Sequence, residues 1–101
     1  MMPEVSSSRM DEDNTPGTMV LTSEHVRAAR ALLRWDQKTL AEKSKVSVPT
    51  IKRLEPIAGP LKANKVTRAA LQRALEQAGV EFIPENGGGV GVRLTHNYRK
   101  V

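Results

Sequence analysis

Apolar residues recur every three or four positions over two long stretches of the chain, which is the period of an α-helix. The first stretch starts after Thr22 and Ser23, whose hydroxyls can cap a helix, and the second runs from Asn64 to Gly79. The side chains predicted to face the core are Val26, Ala29, Leu32 and Leu33 in the first helix, and Val66, Ala70, Leu71, Ala74, Leu75 and Ala78 in the other. These two helices supply most of the predicted core.

Two shorter helices are predicted between them. Asp36 precedes a two-turn helix over residues 37–44 and can cap it. Ser47 caps a third helix that ends near Glu55. Pro49 is tolerated in the first turn of that helix because the amides there have no partner within the helix.

After residue 79 the pattern changes to two short apolar runs around a turn rich in glycine, which predicts a β-hairpin over residues 80–94. The expected fold is therefore mainly α: a compact four-helix domain over residues 20–79, followed by a short C-terminal β-hairpin. Residues 1–19 are polar and acidic without apolar periodicity, and we expect a disordered arm there. Residues 95–101 are expected to form a basic, flexible tail.

Charge is distributed unevenly along the chain. The net charge is +5 over 101 residues, a length suited to one domain. Residues 1–21 carry −3, whereas residues 22–79 carry +7. Positive charge concentrated in the helical part is what a phosphate-binding surface requires, although a solvated basic helix face produces the same bias.

Several classes of protein are not expected. The chain has no cysteine, which excludes disulfides and thiolate metal sites, and His25 and His96 lack companions at metal-ligand spacing. We therefore expect no metal and no cofactor. No nucleophile is paired with a base in a recognisable context, so we expect neither an enzyme nor a small-molecule substrate. The chain lacks a membrane-spanning run and a secretory signal, which favours a cytoplasmic, nucleoid-associated protein.

The spacing of small and apolar residues across the two short helices predicts a helix-turn-helix unit. Ala41 lets the helices cross closely and Val46 fills the turn, while Ile51 and Leu54 anchor the underside of the third helix. With those two residues inward, the opposite face of the helix points outward. The residues expected to read base edges from that face are Val48, Pro49, Lys52 and Arg53.

Polar and basic residues around this face are suited to phosphate oxygens. Ser47 and Thr50 lie at the start of the third helix, and Gln37 starts the second. The full set of expected phosphate contacts is Gln37, Lys38, Ser47, Thr50, Arg34 and Lys45.

On the run LAEKSKVSVPTIKRLE, residues 22–79 resemble the Cro and phage-repressor type of helix-turn-helix transcriptional regulators, the XRE family. The following VEFIPENGGGVGVRL looks like the ending of a bacterial subgroup. The resemblance implies a helical domain, usually dimeric, that represses or activates promoters without a cofactor. It places the phosphate-contacting glutamine of the family on Gln37, and the base-reading positions on the four residues named above.

The chain departs from the family at two helix ends. The family commonly has glycine where this chain has Arg34 and Lys45. Left-handed backbone at a residue other than glycine costs about 1 kcal/mol. Both residues are basic, which suggests phosphate contacts that glycine could not make.

These features together predict a sequence-specific DNA-binding regulator, acting as a repressor or autoregulator on double-stranded DNA. We expect a homodimer whose third helices lie about 34–36 Å apart in successive major grooves. The hairpin over residues 80–94 is expected to contribute to the dimer through Phe82 and Ile83. The alternatives are an antitoxin or protein-interaction module that inhibits a partner protein, and a helix-turn-helix fold that has lost DNA binding.

Overall fold

The computed structural model describes residues 19–95, so the predicted arm and tail lie outside the described residues except for Met19 and Thr95. Four helices precede a two-stranded antiparallel sheet, which confirms a mainly helical domain with a short C-terminal hairpin. The elements are α1 (Ser23–Leu33), α2 (Gln37–Ser44), α3 (Val48–Leu54), α4 (Lys65–Gln77), β1 (Val80–Ile83) and β2 (Gly91–Leu94). No helix of the described residues is long and apolar enough to cross a membrane.

Each helix begins after the capping residue that the sequence indicates. In all four, the side chain of the cap accepts a hydrogen bond from a backbone N–H three residues later, which stabilises each helix by about 1 kcal/mol. The caps are Thr22, Asp36, Ser47 and Asn64. Gly79 follows α4 with φ of 112°, a value that lets the chain turn directly into β1.

One hydrophobic core joins the four helices to the hairpin. Its largest fully buried apolar side chains are Val26, Leu40, Ile51, Leu54, Leu71 and Leu75. Two residues predicted for this core are exposed instead, so that part of the prediction is wrong. Val66 keeps 77% of its surface because it lies in the first turn of α4, more than a turn before the buried part of that helix begins. Leu32 keeps 38% because it lies about 100° around α1 from buried Leu33.

The hairpin packs on α1 and α4 through one face. Its inward cross-strand pairs are Val80 with Leu94 and Phe82 with Val92. Phe82 is buried within the chain and Ile83 is half-buried. The side chain of Phe82, which was expected to contact a second protomer, is thus covered by the helices of its own chain.

His25 lies beneath the hairpin, sealed from solvent. Its Nδ1 accepts a hydrogen bond from the backbone N–H of Thr22 at 3.1 Å, and the backbone N–H of His25 donates to the hydroxyl oxygen of Thr22 at 3.1 Å. The imidazole meets the ring of Phe82 edge-on, with centroids 5.7 Å apart. Nε2 is buried and has no hydrogen-bond partner within residues 19–95. The acceptor role of Nδ1 and the burial of Nε2 without a partner both favour the neutral ring.

We expect the free energy of unfolding to fall when the pH drops below about 6.5. Burial lowers the pKa of His25 from its ordinary value, against the opposing effect of the Glu24 carboxylate. The unfolded chain therefore binds a proton at His25 before the folded chain does. The stability contributed by the neutral ring is complete above the unfolded pKa of about 6.5 and is lost as the pH falls through the lower folded pKa.

Urea unfolding at about pH 7.5 and about pH 5.5 measures this loss. His25→Gln should reduce the difference between the two free energies of unfolding, whereas His96→Gln should preserve it. Equal stability of the native sequence at both pH values would contradict the assignment.

Candidate nucleic-acid interface

The helices α2 and α3, joined by residues 45–47, form a unit whose second helix is anchored from below. Ile51 and Leu54 each keep 1% of their surface. They pack in the same core as the fully buried Leu40 of α2, and Val46 in the connection packs against that core. The predicted inward orientation of Ile51 and Leu54 is confirmed.

The opposite side of α3 faces solvent. Pro49, Lys52 and Arg53 are exposed, and Val48 is half-buried. Lys52 and Arg53 carry only hydrogen-bond donors at their ends, whereas Val48 and Pro49 offer apolar contact. One short helix thus presents donors and apolar groups on the side that does not pack against the domain.

A shallow trough runs between α2 and α3. Lys38 and Lys45 line it together with Val48 and two other apolar side chains. Both lysines are exposed, and Glu42 contributes one carboxylate to the same trough. Ser47 lines the trough as well, so the structure brings three of the predicted phosphate contacts next to a predicted base-reading residue.

The ends of α1 and α2 adopt left-handed backbone at residues other than glycine. Arg34 has φ of 59° and Lys45 has φ of 66°. Each follows the last turn of its helix and donates its backbone N–H to a carbonyl of that turn. Such a conformation costs about 1 kcal/mol at each residue, so the strain expected from the sequence is present at both exposed cations.

Ser47 and Thr50 are hydrogen-bonded to each other at the start of α3. The Ser47 hydroxyl oxygen accepts from the Thr50 N–H at 3.3 Å, and the hydroxyl donates to Thr50 Oγ1 at 3.0 Å. Thr50 is the acceptor in that second bond. Its own hydroxyl hydrogen therefore stays available to an external oxygen such as that of a phosphate.

Behind α3, a buried carboxylate ties three helices together. Glu55 directly follows α3, and 4% of its surface is exposed. It accepts from Arg30 of α1 through Nε at 2.8 Å and Nη2 at 2.7 Å, and from Gln37 Nε2 of α2 at 2.9 Å. The third guanidinium nitrogen of Arg30, Nη1, donates to the Trp35 carbonyl at 2.9 Å. Through these contacts, Glu55 fixes the end of α3 against α1 and the start of α2.

Glu55, Arg30 and Gln37 form the Glu55 cluster, in which the charged forms of Glu55 and Arg30 are stabilised. Burial alone would raise the pKa of Glu55, but the hydrogen bonds from Arg30 and Gln37 outweigh it and hold the pKa below its ordinary value. The hydrogen bond to Glu55 likewise raises the pKa of Arg30. The carboxylate and the guanidinium are therefore both charged at neutral pH.

The sequence interpretation missed this cluster. Neither Arg30 nor Glu55 was among the predicted site residues, yet Arg30 is half-buried against the Glu55 carboxylate. The spacing of these residues could have indicated the cluster. Glu55 lies four residues after Ile51, and Arg30 lies four residues after Val26, so each shares a helix face with a residue predicted to point inward. An acidic residue at such a position needs a cation beside it.

Gln37, a predicted phosphate donor, is half-buried, and one of its amide hydrogens binds Glu55. A side-chain amide has two hydrogens, so one remains for another acceptor. The contact with Glu55 holds that second hydrogen in a defined direction.

Comparison with known proteins supplies no relative from which a site could be transferred. A scan against models of protein families finds no match, and a search of the curated proteins finds no significant similarity. Within residues 19–95, no group of three or more His, Asp or Glu side chains could hold a metal ion.

Proposed function

We propose that this protein is a sequence-specific DNA-binding regulator of transcription, with α2 and α3 as its helix-turn-helix unit. One observation carries the proposal: Ile51 and Leu54 are buried on one side of α3, while Lys52 and Arg53 are exposed on the other. The major groove of B-DNA, about 12 Å wide, admits an α-helix presented in this way.

Within the groove, α3 supplies the base contacts. Arg53 and Lys52 donate to O6 and N7 of guanine, and Val48 or Pro49 contacts a thymine methyl group. A good bidentate contact discriminates against the wrong base by about 1–3 kcal/mol. Arg53, with a planar guanidinium and several donors, is the principal base-reading residue in this proposal.

Phosphate contacts set the register of α3 on the duplex. Lys38 and Lys45 donate from the trough beside α3, Arg34 from the end of α1 and Thr50 through its hydroxyl. Gln37 donates the amide hydrogen that Glu55 leaves available. The net charge of +7 on residues 22–79 supports attraction of the domain to a polyanion.

Two copies bind a palindromic site, so that their α3 helices enter successive major grooves about 34–36 Å apart. In this proposal the protein works in the cytoplasm at the nucleoid, as a repressor or autoregulator of the XRE type.

Selection of bound sequences from a random pool of double-stranded DNA tests the proposal. We expect enrichment of a palindrome whose half-sites are one helical turn apart. A pool that stays random after selection would contradict sequence-specific binding. Weak DNA binding that does not respond to salt would instead favour a helix-turn-helix fold that has lost DNA binding and inhibits another regulator.

Replacing Arg34 and Lys45 together by glycine should flatten the salt dependence of DNA affinity. Glycine adopts left-handed backbone readily, so the double variant removes two cations and preserves the helix ends. Each phosphate contact contributes about 0.9 to the slope of log K against log salt concentration. Two cations in each of the two bound copies make four contacts, so we expect the slope to fall by about 3.6, measured by fluorescence anisotropy with the selected DNA.

Lys43→Ala is the matched control, because Lys43 is an exposed cation of α2 outside the predicted contacts. Its slope should equal that of the native protein. An unchanged slope in the glycine double variant would reject phosphate contacts by Arg34 and Lys45.

A further inference from the structure

The exposed face of α4 carries three cations. Lys65, Arg68 and Arg73 lie along an open groove on this helix, and Glu76 is the carboxylate at its far end. Met19, the first described residue, lines the same groove. The first described residue of the domain therefore lies beside this cationic face.

The charge on this face is not neutralised by its neighbours. Lys65 and Arg73 are exposed, and neither has a carboxylate within ion-pair distance among residues 19–95. Arg68 donates to the carbonyl oxygen of Ala63, which is uncharged. Three cations against one carboxylate leave the face with a net charge of +2.

The segment of opposite charge lies close by in the sequence. Asp11, Glu12 and Asp13 precede Met19 by six to eight residues. Six extended residues span about 20 Å, whereas the distance along α4 from Lys65 to Arg73 is about 12 Å. The chain between Met19 and the acidic residues is therefore long enough for those residues to reach each of the cations.

The charges of the grooves beside Met19 also indicate which of them suits the acidic segment. A second groove at this residue has apolar walls that include Pro60, Pro84 and Val90, and Glu85 places a carboxylate in it. An acidic segment is repelled by that carboxylate and attracted by the cations of α4. Of the grooves that Met19 lines, the one with Glu85 thus opposes the segment, whereas those with Arg68 complement it.

We propose that residues 11–13 bind the cationic face of α4 within the same chain. The contact is made of exposed ion pairs, so it weakens as salt shortens the Debye length from about 10 Å at 0.1 M to about 3 Å at 1 M. The bound segment covers Lys65 and Arg73 and competes with any other polyanion for this face. The inference does not depend on the proposed DNA-binding function.

Amide NMR spectra of the full chain test the proposal without DNA. The spectrum of the native sequence is compared with that of the D11N/E12Q/D13N variant at low salt. We expect shift differences concentrated on residues 65–76, and we expect them to vanish in about 1 M salt. The control variant Glu4→Gln, which removes one distant acidic charge, should leave residues 65–76 unchanged.

A charge exchange completes the test. The K65E/R73E variant should lose the contact, and adding D11K/E12K/D13K to it should restore salt-sensitive shifts on α4. Three outcomes would overturn the proposal: no shift differences, differences centred on residues 34–53 instead, or differences that grow with protein concentration, which indicate binding between chains.

Discussion

Replacing Glu55 by glutamine should lower the free energy of unfolding by about 3 kcal/mol, because breaking a buried ion pair leaves an uncompensated charge. The carboxylate of Glu55 accepts from Arg30 at 2.7 and 2.8 Å, and 5% of the Glu55 side chain is exposed. Glutamine keeps the size of the side chain but offers Arg30 neither a negative charge nor two acceptor oxygens. Denaturant unfolding followed by circular dichroism measures the loss.

Glu81→Gln provides the matched control. Glu81 also makes a two-point ion pair, with Arg93 at 3.0 and 3.1 Å, but both side chains are about half exposed. Exposed pairs contribute roughly 0–1 kcal/mol, so this variant should lose far less stability. Equal losses of unfolding free energy in the two variants would show that burial does not determine how much the Glu55 cluster contributes to stability.

Features of this fold that depend on neighbouring residues in the sequence could be predicted. Thr22, Asp36, Ser47 and Asn64 cap helices through hydrogen bonds that reach three residues along the chain. The same local geometry fixed which side of α3 faces inward, since Ile51 and Leu54 are one turn apart. The helix bounds and the exposed position of Arg53 therefore followed from the sequence pattern.

Features that depend on distant residues could not be predicted in this way. Leu61 lies between two predicted helices and was not predicted for the core, yet it is buried, and its N–H donates to the Leu21 carbonyl across forty residues of chain. The contact between Arg30 and Glu55 spans twenty-five residues. A periodic pattern also does not say where along a helix the packing begins, which is why Val66, in the exposed first turn of α4, was wrongly assigned to the core.

The Glu55 cluster links the stability of the fold to the candidate interface. Gln37 and α3 are both held by this one carboxylate, so a change there moves a predicted phosphate donor and the predicted reading helix together. A variant at Glu55 is therefore unsuited to testing base recognition. A variant at exposed Arg53 separates recognition from folding.

Arg53→Ala should weaken binding to the selected DNA by about 1–3 kcal/mol for each half-site, and a loss of that size is roughly a 5- to 150-fold rise in Kd. Arg53 is exposed on α3, so its removal leaves the core and the Glu55 cluster in place. Under the proposed function, the guanidinium donates to a guanine edge, and its loss should relax sequence preference at one position of each half-site. Fluorescence anisotropy gives the affinity, and a repeated selection gives the preference.

Two control variants distinguish base reading from general attraction. Arg93→Ala removes an exposed guanidinium from the hairpin and should leave affinity and preference unchanged. Lys45→Ala should weaken binding to all DNA sequences to a similar extent, because a phosphate contact carries no sequence information. If Arg53→Ala behaves like Lys45→Ala, with equal losses on selected and random DNA, Arg53 contacts the backbone and α3 does not read bases through it.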